Sequence, residues 1–223
     1  MQIENNKEEV PFSYYADLFA KADPAEITAR LGIPFENGTF TLTLLNTEYE
    51  ITYPVARICH SERSEESPTP LIPEILRLSA QDDKRKVPAL PVQTFLLRYL
   101  LEAKTVAWAG QWKTFREMPW GELYIKPYTG RVLTRAAFTF GTRVEKFRAA
   151  CEKLGAAPLT HGDAGFEFDF IGGYKMRILV WAADEEFPPN AQVLYSDNFA
   201  EGFAAEDRVV AGDILISHIK AAM

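Results

Sequence analysis

The sequence predicts an α+β fold, with helices around small antiparallel sheets, on three observations. Stretches near 39–53 and 166–181 alternate apolar and polar residues about short turns, the pattern of half-buried hairpins. A third strand near 191–195 follows the second hairpin, so strands cluster instead of alternating with helices. The chain closes on Ala204–Ala222, whose apolar residues recur at helical spacing behind Glu206 and Asp207, acids that the positive end of a helix favours.

Each remaining element has its own local reason. Pro11–Ala22 sets Phe12, Tyr15, Leu18 and Phe19 at helical spacing. Asp23-Pro24 reads as the cap and first residue of a second helix that stops near Gly32. Thr39–Leu45 and Glu48–Tyr53 are the strands of the first hairpin, turning at Asn46-Thr47. Pro91–Ala103 is apolar enough for a core helix, and Arg131–Phe140 and Arg143–Leu154 read as two helices parted by Gly141. Phe166–Phe170 and Lys175–Trp181 pair across Gly172-Gly173, and Ala191–Tyr195 adds to that sheet.

Composition bounds the function. With 223 residues, 47% hydrophobic and 25% charged, the chain has the composition of a globular protein, expected as one domain spanning 1–223. A net charge of −7 disfavours nucleic acid and anionic membrane surfaces alike. No apolar run reaches the roughly 20 residues of a membrane span, and the acidic start, Met1 to Glu9, is unlike a signal peptide, so a cytoplasmic location is expected. Two cysteines, Cys59 and Cys151, are too few for a disulfide framework or an unaided thiolate metal site.

The segment at about 58–86 stands apart. Glu62–Lys86 carries eleven charged residues and three prolines, which suits a surface excursion. Its wording, HSERSEES followed by EILR and AQDDK, resembles the translation of a short palindromic repeat scattered between bacterial genes. That resemblance implies an in-frame insertion, and a surface loop tolerates one because each doubling of length costs only about 0.6 kcal/mol. Cys59, His60 and the acids of the segment are therefore given no functional role.

Three clusters carry candidate chemistry. Asp184, Glu185 and Glu186 lie between the strand ending at Trp181 and the stop Phe187-Pro188-Pro189. Such acids offer oxygen ligands to a divalent cation or a general acid or base, or else cap backbone amides and pair with arginine. At least one is expected to be buried, with Arg116 and Arg131 the leading partners. His161-Gly162-Asp163 offers an imidazole and a carboxylate on one loop, against the simpler reading of a turn into the next strand. Arg116, Glu117, Trp120, Tyr124, Tyr128 and Arg131 place guanidinium groups among aromatic rings, a set suited to an anionic planar ligand or to core packing. A single pocket between Arg116–Tyr128 and the loop after Trp181 would unite these residues.

The segments FREMPWGELY (115–124), WAADEEFPPNAQVLYSD (181–197) and AAEDR (204–208) together resemble the DUF3786 family, a bacterial and archaeal domain of unknown function. The resemblance covers the chain outside the insertion and carries over Arg116, Glu117, Gly121, Tyr124, Trp181, Asp184, Glu185, Glu186, Phe187, Pro188, Asp197, Glu206 and Asp207. Where the family has a Gly-Gly pair after the proline, this chain has Trp120-Gly121. Relatives joined to an iron–sulfur module like that of corrinoid proteins imply anaerobic one-carbon or redox metabolism, with an iron–sulfur or corrinoid protein as partner. The resemblance names no cofactor. Two functions follow as expectations. One is a binding or accessory protein for a small anionic ligand or cofactor, using Arg116, Glu117, Tyr124, Arg131, Trp181, Asp184, Glu185 and Glu186. The other is a divalent-metal enzyme built on Asp184–Glu186 with His161 or Asp163 assisting.

Overall fold

Asp23 caps the second helix of the chain: its side chain accepts the Ala25 amide at 2.8 Å, Pro24 opens the helix, and Gly32 ends it in the left-handed conformation. The structure, a computed structural model, describes residues 9–61 and 85–223, in two compact units, Met1–Leu101 and Glu102–Met223. The larger part of the proposed insertion thus lies outside the described residues.

In the first unit, α1 (Glu9–Phe19) and α2 (Pro24–Leu31) precede the antiparallel strands β1 (Phe35–Glu36), β2 (Thr39–Leu44), β3 (Thr47–Thr52), β4 (Arg57–Ser61) and β5 (Arg85–Lys86). Helix α3 (Leu90–Glu102) follows, with Phe95, Leu96, Leu97 and Leu100 buried. Alternate residues Phe40, Leu42 and Leu44 of β2 are buried, as are Tyr49 and Ile51 of β3, so period two fixes the register. The turn falls at Leu45-Asn46, one residue earlier than the sequence pattern indicates. Leu44 pairs with Thr47, and both turn residues take positive φ, 48° and 61°, as a two-residue hairpin of right-handed twist demands. Leu45 meets that demand although it is a branched, buried residue. Cys59 and His60 sit on β4, paired opposite Glu50 and Tyr49.

The second unit begins with β6 (Trp112–Thr114) and a 3-10 turn, Phe115–Glu117. A helical path then runs through α4 (Gly121–Tyr128), a π turn (Thr129–Thr134) and α5 (Arg135–Phe140), before α6 (Val144–Lys153). Helix thus begins about ten residues ahead of the expected Arg131. Pro127 hides this in the sequence: it has no amide to give the preceding turn, and the helix widens into a π turn directly after it. Strands β7 (Ala157–Leu159), β8 (Ala164–Ile171), β9 (Tyr174–Trp181) and β10 (Asn190–Ser196) make an antiparallel sheet in the order β7-β8-β9-β10-β6. One-turn α7 (Phe199–Gly202) leads to α8 (Ala205–Ala222). One face of the sheet buries Phe166, Met176, Ile178, Val180 and Tyr195, and Phe147 of α6 meets Phe166 edge-on at 5.7 Å. On the other face Glu167 pairs with Arg177 at 2.7 Å, and Arg177 stacks 4.0 Å from the Trp112 ring.

Helix α8 is buried over much more of its circumference than an amphipathic reading allows, and Asp207 and Arg208 are among its buried residues. Arg208 is 1% exposed, yet its Nη2 donates to the Pro119 carbonyl at 2.6 Å and its Nε to the Ala204 carbonyl at 3.3 Å. Hydrogen bonding of this kind is what makes a buried charge tolerable. Pro119 leads into Trp120, which adopts φ 63°, and then Gly121, where a Cβ would lie 2.0 Å from the Phe115 carbonyl oxygen. A tight turn thus forms with Trp120 at its left-handed position, at the cost of strain.

Two outcomes follow for stability. Arg208→Ala removes a large buried side chain and strands two carbonyls, and should cost about 3 kcal/mol in urea denaturation. Trp120→Gly should raise stability by about 0.5–1 kcal/mol, because relief of left-handed strain exceeds the added chain entropy.

Candidate functional site

The loop after Trp181 is shaped by its own acids. Asp184 Oδ1 accepts the amides of Glu186 at 2.9 Å and Phe187 at 2.7 Å, and the Asp184 amide donates to the Phe187 carbonyl at 3.1 Å. From the other side, Asp163 Oδ2 accepts the Ala182 amide at 2.7 Å, while its own amide donates to the Val180 carbonyl. Arg148 Nη2 donates to the Asp163 carbonyl at 2.6 Å, tying that turn to α6. The loop is held without a buried ion pair. Contrary to expectation, Asp184, Glu185 and Glu186 are all exposed, and neither Arg116 nor Arg131 answers them. A short aspartate on a loop reaches its own backbone amides sooner than a distant guanidinium, and water solvates its neighbours.

The Arg116–Arg131 segment is placed elsewhere. Arg116 Nε pairs with Glu122 at 3.0 Å on the surface, and Arg131 and Arg135 both pair with Asp213 of α8. Glu117 Oε2 accepts the Thr114 amide and hydroxyl, and those bonds hold its carboxyl below the usual range. The Tyr124 hydroxyl donates to Glu206 at 3.4 Å. Asp197 accepts the amides of Ala109 and Gln111.

These residues belong to two locations. Pro119 is tied through Arg208 to the Tyr195 end of β10, because the Tyr195 hydroxyl donates to the Arg208 carbonyl at 2.9 Å. The acidic loop enters β10 at Asn190, opposite Trp181. Five strand residues at about 3.4 Å each separate these points by roughly 17 Å. Neither of the two clefts beside the acidic loop is lined by a residue of the expected Arg116–Tyr128 segment. Carried-over residues 116–124 meet Glu206 and the Arg208 end of α8, and those at 181–188 meet other neighbours.

Those neighbours escaped the sequence reading. Gly141, at the end of α5, packs so closely that a Cβ would lie 2.5 Å from the Pro189 side chain and 2.9 Å from the Trp181 carbonyl. Helix α6 thus begins beside the loop. Arg143 stands at its cap position without a side-chain cap bond, leaving the first-turn amides of Val144 to Lys146 uncapped by it. A cleft of about 580 Å³ is lined by Gly141–Lys146 together with Ala182 and Ala183. A second, of about 620 Å³, is lined by Asp163, Trp181, Ala182, Asp184, Phe187, Pro188, Pro189 and Asn190. Gly141 was visible as a helix break, but nothing local indicated what it would touch.

Reactive groups are quiet. Burial pushes the Cys151 thiol well up, so it is held neutral, and burial likewise raises Tyr128 and Tyr195. Among the described residues no group of three or more His, Cys, Asp and Glu is placed to hold a metal ion, and no helix is long and apolar enough to cross a membrane.

Asp184→Ala should destabilise the chain by about 1–2 kcal/mol through the two amides it leaves. Glu185→Ala and Glu186→Ala should stay within about 0.5 kcal/mol of the parent in the same denaturant series.

The profile of the family described as Domain of unknown function (DUF3786) matches residues 23–218, most of the chain. No curated protein and no solved structure matches it.

Proposed function

The chain belongs to the DUF3786 family, and we propose that it is a binding module that holds a small anionic ligand in the cleft between the start of α6 and Ala182-Ala183. One observation carries this reading. The first turn of a ten-residue helix, with no side chain capping it, opens on a cleft beside a loop whose shape is already set. Uncapped amides and the positive helix end favour an anion there, and Arg143 and Lys146 stand on the same turn to add charge. Prior ordering of the loop by Asp163 and Asp184 lowers the entropy lost on binding.

Arg116 and Arg131, the arginines first expected to serve the anion, each already face a carboxylate, so Arg143 and Lys146 take over that role. The divalent-metal alternative draws less support. Asp163 and Asp184 each spend an oxygen on backbone amides, and the exposed Glu185 and Glu186 join no larger ligand group among the described residues. The proposal extends to a cytoplasmic setting, in keeping with the acidic composition. It also takes in an accessory role beside an iron–sulfur or corrinoid protein, which rests on the family resemblance alone.

Titration with inorganic phosphate and small carboxylates, followed by amide NMR shifts, tests the reading. Saturable shifts at Val144, Glu145 and Lys146 are expected. The double variant Arg143→Ala/Lys146→Ala should weaken binding at least tenfold, about 1.4 kcal/mol, while Arg116→Ala leaves it unchanged. Shifts centred on Arg116 and Tyr124 would refute it.

A further inference from the structure

We propose that the second cleft, which meets the first at Ala182, binds an organic cation: a protonated amine or guanidinium, free or carried by a basic peptide. Its lining combines two aromatic rings, Trp181 and Phe187, with two carboxylates, Asp163 and Asp184, the Asn190 amide and two prolines. No lysine, arginine or histidine lines it. Carboxylates attract a cation of any kind, whereas a ring face adds its negative quadrupole, which draws an organic ammonium and stacks best with a planar, weakly hydrated guanidinium. Phe187 is 65% exposed, an unusual position for a phenylalanine with no core to fill, and it stands directly before Pro188 and Pro189.

Donors on a ligand have acceptors to meet. Backbone amides engage Asp163 through Oδ2 and Asp184 through Oδ1. A carboxylate has about four lone-pair sites, so each retains acceptor capacity for a charged donor. Glu185 and Glu186 on the same loop, and the net charge of −7, add attraction at longer range. A hard divalent ion fits less well. It needs six or more oxygens or retained waters, and aromatic rings supply none.

Two features keep this site separable from the anion cleft. The charge it selects is opposite, and its residues other than Ala182 are different.

The test uses the full chain with butylammonium, guanidinium ion and a hexalysine peptide, followed by tryptophan fluorescence and side-chain NMR of Trp181 and Phe187. Saturable binding is expected for at least one of them. Phe187→Ala, at an exposed position, should weaken it about threefold. Asp163→Asn and Asp184→Asn, which keep an oxygen for the backbone amides, should each weaken it about tenfold. Much tighter binding of hexalysine than of butylammonium identifies a basic peptide as the source, and comparable binding identifies a free amine. The proposal is overturned if neither amine nor guanidinium saturates the site at millimolar concentration. It is also overturned if Mg²⁺ competes at lower concentration and Phe187→Ala leaves that competition unchanged. Phosphate shifts at Val144–Lys146 report the first cleft separately, so either proposal can fail alone.

Discussion

The buried guanidinium of Arg208 is the constraint on which the second unit turns. It ties the Ala204 carbonyl at the start of α8 to the Pro119 carbonyl, and it faces the Phe115 ring at 5.9 Å. Phe115 in turn stacks on Tyr128 at 4.0 Å, and Tyr128 meets Tyr195 of β10. Apolar side chains alone would bury comparable area, but they would not specify which carbonyls come together. A charged donor with a planar fork does, since losing either partner leaves a desolvated group.

From that anchor a helical path runs through Gly121–Phe140, and it brings Gly141 against Trp181 and Pro189. Twenty helical residues span roughly 30 Å. The Arg208 end of the path and its Gly141 end are thus distant, and only the second touches the loop proposed to bind. Anchoring one end and demanding close backbone contact at the other fixes where α6 starts. The π turn at Thr129–Thr134 sits between them and adjusts the helix phase after Pro127.

Several carboxylates in this chain work on backbone amides. Asp23, Glu117, Asp163, Asp184 and Asp197 each accept main-chain N–H groups. An acid used in this way is legible as an acid in the sequence but not as a cap, because its partner is decided by a turn only a few residues long. That is why the sequence left the 184–186 triplet open between a ligand set and a structural loop, in which Asp184 turns out to accept its own loop's amides while Glu185 and Glu186 stay exposed.

By itself the sequence determined whatever depends on near neighbours. Asp23-Pro24 and Gly32 bounded α2, alternation placed the hairpins near 39–53 and 166–181, and helical spacing placed α8. These follow from local propensity, capping and side-chain period, which act within a few residues. Family membership was likewise legible, because motifs such as DEEFPP are contiguous. Tertiary structure alone decided the rest. It buried Arg208, which no helical pattern distinguishes from a surface arginine. It carried α4 through Pro127, and it set Trp120 in a conformation that glycine usually fills. It also parted Arg116 from Asp184 and set the start of α6 beside the loop. Each of these outcomes turns on which carbonyl or ring lies opposite after the chain has folded back, and that pairing is written in no short window of residues.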